Sequence, residues 1–214
     1  MKVIEESCKI KCFEINTLIC LYDQLVNLKL NKELNNYWYI SGSYLPQQVS
    51  LFLDLLTIGN YDSISLPLRR YFESFLVAIY FDKNKKDANH IVDWLKGKNN
   101  VGKRISGRNS VIKDLTYSPL VKKYDSTFNE KLTKYWGELS SEVHRKEGEA
   151  FFNYEFKEKE FDRYFNQFLD IKEELIILLV LNFPENYKFL KPLLGFHPNG
   201  MHHIEKIELL LLKS

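Results

Sequence analysis

The chain has 214 residues, of which 45% are hydrophobic and 27% are charged, a composition that is ordinary for a globular protein. This length suffices for one sizeable core and is short for two, which favours a single domain. The formal net charge of +2 is too small to indicate nucleic-acid binding by itself, so such an activity requires a local cluster of basic residues. The 15 Phe and 13 Tyr argue against disorder, because so many aromatic side chains fit a packed interior.

Three cysteines, Cys8, Cys12 and Cys20, lie roughly on one side of a helix predicted near the start of the sequence. We expect them to be core thiols. The odd count, and the lack of a long apolar stretch after Met1, favour a reducing cytoplasm over secretion. The longest apolar run, 175–181, is much shorter than the roughly 20 residues that a membrane-spanning helix needs. We therefore expect a cytoplasmic protein without a membrane anchor.

Apolar residues recur at steps of three and four along most of the chain, which predicts amphipathic helices. No segment alternates apolar and polar residues convincingly in the manner of a strand. The predicted helices cover residues 3–30, 45–58, 65–81, 86–96, 126–146, 161–181 and 204–212. Residues 31–43 are predicted to be a connection, and residues 191–200 to be a tail punctuated by proline and glycine.

These elements predict an all-α fold, an antiparallel bundle of four to five main helices with peripheral short helices. We assign residues 1–190 to a single helical-bundle domain. Residues 191–214 are assigned to a C-terminal tail whose short helix packs on the bundle.

The predicted helix 65–81 is apolar except that it contains Arg69 and Glu73, one helical turn apart. At 100° per residue both side chains fall within the arc that faces the core, together with Phe72 and Leu76. A buried charge without a partner costs several kcal/mol, roughly, whereas an Arg–Glu pair with further hydrogen bonds is tolerated. We expect a buried pair, which is either a structural ion pair that fixes helix packing or part of a polar pocket.

The segment 96–113 contains several basic residues and no acidic one, and it is the only strong local charge bias. Its glycines and lysines spell most of a Walker A phosphate loop, but Arg104 occupies the Ser/Thr position that would bind magnesium, and no parallel-sheet strands are evident. We therefore predict no nucleotide cofactor. Basic side chains on a glycine-rich loop neutralise phosphates, so RNA or DNA contact is one interpretation and a solvated loop the other. The residues assigned to nucleic-acid binding are Lys98, Lys103, Arg104 and Arg108.

Three histidines, His197, His202 and His203, lie within seven residues near the end of the sequence. Apart from Glu205, no carboxylate or cysteine nearby completes a tetrahedral site, so we predict no metal and no cofactor.

Residues 135–144 read Tyr-Trp-Gly-Glu-Leu-Ser-Ser-Glu-Val-His, and the earlier predicted helix contains Arg69-x-x-x-Glu73 followed by Tyr80. These two motifs resemble a group of prokaryotic helical bundles related to the HEPN superfamily, over a helix order that spans about residues 45–180. The resemblance implies a bundle that is often a homodimer, from defence or toxin systems, whose catalytic members are metal-independent ribonucleases. It implies His144 as general acid or base, with Arg69 binding the phosphate. Glu73 would orient Arg69, and Ser140 and Tyr80 would support the site.

The catalytic motif of that superfamily places an arginine four to six residues before its histidine, and no arginine stands there before His144. The leading prediction is a protein of a prokaryotic defence or stress system that binds or cleaves RNA. The alternative is a non-catalytic interaction protein in which Arg69 and Glu73 staple the bundle and His144 bonds to a neighbouring helix or to Glu73. The RNA interpretation gains support if Lys98, Lys103, Arg104 and Arg108 share one surface with His144, and it loses support if they lie at opposite ends of the bundle.

Overall fold

The computed structural model describes Cys12 and residues 34–98, 104–146, 156–195 and 199–213, with the backbone alone for 144–146. Within these ranges the regular structure is helical, and the only β-type pairing is an isolated bridge between Arg104 and Ser110. The all-α prediction is therefore confirmed. The predicted helix 3–30 lies outside the described residues, as do Cys8 and Cys20, except at Cys12, which is helical and buried.

The helices follow one another with short connections. They are α1 (Asn35–Ser41), α2 (Tyr44–Thr57), α3 (Ser65–Lys83), α4 (Ala88–Leu95), α5 (Val111–Thr116), α6 (Pro119–Tyr124), α7 (Phe128–Lys146), α8 (Glu158–Asn182), α9 (Tyr187–Gly195) and α10 (Gly200–Leu211). A single 3-10 turn, Pro184–Asn186, leads from α8 into α9. The long helices α2, α3, α7 and α8 begin and end close to their predicted positions, because their apolar periodicity is uninterrupted.

Helix α3 is the centre of the bundle and contacts α1, α2, α4, α5, α7 and α8. Phe72, Phe75, Leu76 and Ile79 of α3 are almost completely buried. A helix that is apolar on nearly all sides is stable only when other helices cover it, and this requirement places α3 in the middle.

Contacts at the two ends of α3 show the directions of the long helices. Ser65, at the start of α3, donates a hydrogen bond to Glu142 near the end of α7, so α3 and α7 are antiparallel. Lys83, at the other end of α3, donates to Oδ1 of Asn182 at the end of α8 over 3.0 Å. Helices α3 and α8 are therefore parallel, and the bundle combines both kinds of neighbour.

The prediction of a connection over residues 31–43 is wrong for α1. The backbone and side-chain amides of Asn36 each donate to Oδ1 of Asp82 over 2.8 Å, and the Tyr37 amide donates to Oδ2 over 2.9 Å. A carboxylate of α3 thus satisfies amides that a helix start leaves unpaired, in place of a local cap. Because this cap lies 46 residues away from Asn36, no local pattern reveals it.

The first half of the tail predicted over residues 191–200 is helical, because α9 continues to Gly195 and contains Pro192. Proline removes one helical hydrogen bond. The buried side chains of Leu190, Leu193 and Leu194 offset this loss by packing inward. Helix α10 then packs against α6, α8 and α9, so the C-terminal helices cover one side of the bundle.

Candidate functional site

Arg69 and Glu73 form the ion pair that the sequence predicts, with 3.2 Å between Nε of Arg69 and Oε1 of Glu73. The two side chains are 22% and 19% exposed, so the pair is half-buried and the prediction of a buried pair is confirmed only in part. The arc of α3 that carries them is covered at Phe72 and Leu76, but at the ion pair it borders a cavity that opens to solvent. The pair therefore lies at the edge of the core.

Trp136 of α7 gives Arg69 a second partner. The guanidinium carbon of Arg69 lies 4.7 Å from the centroid of the indole ring, which is the geometry of a cation–π contact. Burial raises the pKa of Glu73 above its ordinary value, and the charge and hydrogen bond of Arg69 oppose that rise. Arg69 is thus held in place by an anion on its own helix and an aromatic ring on the next.

The cavity beside this pair has a volume of about 460 Å³. Helix α3 contributes Arg69, Arg70 and Glu73 to its lining, the end of α4 contributes Trp94 and α7 contributes Val143. Two guanidinium groups beside an aromatic ring form a surface suited to an anionic group attached to a planar one. We call this space the arginine cavity.

His144 directly follows Val143 in α7, so its backbone lies at the margin of the arginine cavity. The side chain of His144 is outside the described residues. The structure thus brings the chain position of His144 to the same end of the bundle as Arg69.

The two residues predicted to support the site lie in different places. The hydroxyl oxygen of Ser140, one turn before His144, is buried and makes no hydrogen bond with a described residue. Tyr80 lies eleven residues after Arg69 in α3, which corresponds to about 16 Å along the helix axis. The Tyr80 ring contacts Phe81 instead, and Tyr80 does not line the arginine cavity.

Among the residues predicted to bind nucleic acid, the three that the structure describes do not form one cluster. Lys98 follows Gly97, which lines the arginine cavity, whereas Lys103 is outside the described residues. Arg104 and Arg108 are exposed on the loop that leads into α5. Arg108 lines a second cavity that also includes Lys83. Lys83 is 14 residues after Arg69 in α3, which places these two lining residues about 21 Å apart along the helix axis. Arg108 therefore lies toward the opposite end of the bundle from Arg69 and from the chain position of His144, so it does not give the RNA interpretation the support of a shared surface.

The sequence prediction missed several residues beside these cavities. Trp136 belongs to the HEPN-like motif of residues 135–144, but its contact with Arg69 depends on how α7 is rotated against α3. Lys83 of α3, Lys113 of α5 and Tyr117, the residue after α5, come together at the second cavity. Of these, only Lys113 carried a sequence signal, because it ends the basic segment 96–113.

His203 of α10 belongs to a polar chain with Tyr124 of α6 and Glu173 of α8. The Tyr124 hydroxyl is hydrogen-bonded to Nδ1 of His203, and Nε2 of His203 lies 3.4 Å from Oε1 of Glu173. Burial lowers the pKa of His203, with the neighbouring charges of His202, Lys206 and Lys131 acting in the same direction. Among the described residues, no group of three or more His, Cys, Asp or Glu side chains has the arrangement of a metal site. His197 is outside those residues.

The chain matches no family model, no curated protein and no solved structure. The HEPN-like resemblance therefore depends on the two short motifs alone. None of the described helices is both long enough and apolar enough to span a membrane.

Proposed function

We propose that the protein binds RNA at the arginine cavity and cleaves it there without a metal ion. The observation that carries this proposal is the shared lining of the cavity, in which Arg69 of α3 lies beside Val143, the residue before His144 in α7. This is the pair of chain positions that the HEPN-like motifs assign to phosphate binding and proton transfer. The proposal includes a homodimer and a role in a prokaryotic defence or stress system, as those motifs imply.

The chemistry suits the residues. Arg69 carries a permanent charge that would bind a phosphodiester and stabilise the negative charge that develops on it. The imidazole of His144 would remove or deliver a proton near neutral pH, a step that contributes roughly 100- to 10,000-fold to a rate. Glu73 would keep the guanidinium in one orientation through its bond to Nε, which leaves the other nitrogens of Arg69 for the phosphate.

A second candidate, a non-catalytic interaction protein, is favoured by a different observation. Arg69 already has an anionic partner in Glu73 and an aromatic partner in Trp136, so the structure satisfies its charge without a ligand. In this alternative the three side chains fix the packing of α3 against α7. His144 then serves only as a residue at a helix boundary.

The substitution His144→Ala separates the two candidates in an RNA cleavage assay with EDTA present. Wild-type protein is expected to cleave single-stranded RNA, and His144→Ala to lower the rate at least about 100-fold while the melting temperature stays nearly unchanged. His202→Ala is the matched control, because His202 is exposed on α10 and lines neither cavity. Equal cleavage by wild type and His144→Ala would contradict the catalytic role. RNA binding without cleavage by wild type would reduce the proposal to RNA binding, whereas neither binding nor cleavage would favour the non-catalytic candidate.

A further inference from the structure

The second cavity, at the opposite end of α3 from the arginine cavity, has a volume of about 450 Å³ and a cationic lining. We call it the far-end groove. Its lining includes Lys83, Asn84, Arg108, Asn109, Lys113 and Tyr117, with Asp114 as the one carboxylate among its lining residues. Three cations face one anion there, although the chain as a whole is almost neutral.

Backbone hydrogen bonds join the two ends of the loop that contains Arg108. The amides of Val111 and Ile112 donate to the carbonyls of Arg104 and Ile105 over 2.9 and 3.1 Å, and Val111 and Ile112 are completely buried. Gly107 turns the chain between these points with a φ of 113°, a conformation that favours glycine. The backbone that carries Arg108 is therefore held in position by these hydrogen bonds and by the buried residues that follow it.

The cations of the far-end groove differ in the hydrogen bonds and ion pairs that they form. The Lys83 ammonium donates to the carbonyl of Asp114 over 2.9 Å and to the side chain of Asn182, which fixes its position. Arg108 and Lys113 are exposed, and neither forms an ion pair with any described residue. Two unpaired cations beside a positioned third would attract an anion with several charged oxygens.

Tyr117 adds an aromatic surface to this charge. It is 66% exposed, and the Lys122 ammonium lies 3.5 Å from its ring centroid. An exposed ring next to a row of cations is the combination by which proteins bind single-stranded nucleic acid, since bases stack on the ring and phosphates meet the cations.

We infer that the far-end groove is a second contact site for single-stranded RNA, with phosphates at Lys83, Arg108 and Lys113 and a base stacked on Tyr117. This inference rests on the proposed function, because it concerns the same class of ligand. Arg69 lies about 21 Å from Lys83 along α3, so an RNA that spans both cavities follows the long axis of the bundle. In this inference, Arg108 and Lys113 of the basic segment hold the RNA and take no part in its cleavage.

Fluorescence anisotropy with a labelled 12-nucleotide single-stranded RNA tests the inference on the full chain. Tyr117→Ala is expected to weaken binding roughly 5- to 150-fold, and Tyr117→Phe to bind as wild type, because it keeps the ring. Arg108→Ala/Lys113→Ala should make the slope of log affinity against log salt shallower by about 1.4. Lys188→Ala/Lys213→Ala removes two exposed charges that line neither cavity and should bind as wild type.

The outcomes distinguish the inference from the proposed function. If wild type binds and Arg69→Ala weakens binding while the Tyr117 and Arg108/Lys113 variants match wild type, the far-end groove is not a contact site and the proposed function stands. If wild type binds no RNA, both fail. Polyglutamate is the competitor that tests the ligand class. Displacement of RNA by polyglutamate at equal charge concentration would overturn the assignment to nucleic acid, because that polymer has no bases to stack.

Discussion

Two contacts stabilise the charged side chain of Arg69 at the edge of an apolar helix, and each of them is weak by itself. The ion pair with Glu73 is partly solvated, and pairs of that kind contribute about 1 kcal/mol or less. The stacking on Trp136 adds about 0.5–1 kcal/mol. Because the arginine cavity admits solvent, Glu73 is not left in a dry core when Arg69 is removed.

This geometry predicts a modest loss of stability for Arg69→Ala, about 1–2 kcal/mol in the free energy of unfolding. Full burial of the pair, as expected from the helical arc alone, would make the loss several times larger, at about 3–5 kcal/mol. Urea denaturation followed by circular dichroism measures the difference. Arg70→Ala is the control, since Arg70 lines the same cavity but is exposed, and it should change the stability by less than about 0.5 kcal/mol. A loss above about 3 kcal/mol for Arg69→Ala would show that solvent does not reach Glu73.

At the level of elements, one buried carboxylate connects two helices that are far apart in sequence. Asp82, near the end of α3, holds the first turn of α1 through Asn36 and Tyr37. Burial raises the pKa of Asp82 to about 6, and the hydrogen bonds from Asn36 and Tyr37 limit that rise. The start of α1 is therefore coupled to the protonation of a residue in α3.

The raised pKa gives the stability a pH dependence with a definite sign. The folded chain holds a proton on Asp82 more tightly than the unfolded chain does. The stabilisation that this proton gives the fold is therefore complete below about pH 3.8 and is lost as the pH rises through about 6. Asp82→Asn removes the titration but keeps an acceptor for the amides. Between pH 4 and 7 the unfolding free energy of wild type should therefore fall relative to that of Asp82→Asn, by at most about 3 kcal/mol. Urea unfolding at intervals of half a pH unit measures this. Parallel profiles for the two proteins would contradict the coupling.

The apolar periodicity of the sequence is sufficient to predict the long helices, because each of them buries a continuous apolar face. Periodicity does not predict α1, whose first turn depends on hydrogen bonds to Asp82 of α3. It also does not predict α9, where the packing of Leu193 and Leu194 outweighs the cost of a proline in the helix. In the candidate site it predicted the pairing of Arg69 with Glu73, which depends only on helical spacing. It could not predict the burial of that pair, because burial depends on how neighbouring helices are placed.

For the whole molecule, the polar chain of Tyr124, His203 and Glu173 connects α10 to α6 by a hydrogen bond and places it next to α8, where Nε2 of His203 and Oε1 of Glu173 are 3.4 Å apart without a hydrogen bond. Tyr124 and Glu173 are buried, and burial raises the pKa of the tyrosine well above its ordinary value, so the hydroxyl stays protonated. The C-terminal helix is thus attached to the bundle through a partly buried polar contact as well as through apolar packing.

Removal of the hydroxyl by Tyr124→Phe should loosen this attachment, because Nδ1 of His203 loses its partner, at a cost of about 1–3 kcal/mol. Hydrogen exchange should then quicken across α10 more than across α3. Tyr187→Phe is the matched control, since its hydroxyl bonds Glu208 of α10 from α9 and not from the bundle. Similar exchange in α10 for the two variants would show that the polar chain has no special role.

The central position of α3 fixes the spacing of the two cavities in discrete steps. One inserted residue would rotate everything after it by 100° and turn buried side chains such as Phe75 and Ile79 away from their neighbours. Insertions of three or four residues preserve the face and lengthen the helix by one turn, about 5 Å. A variant of this chain can therefore change the distance between Arg69 and Lys83 only by whole turns if its core is to stay packed.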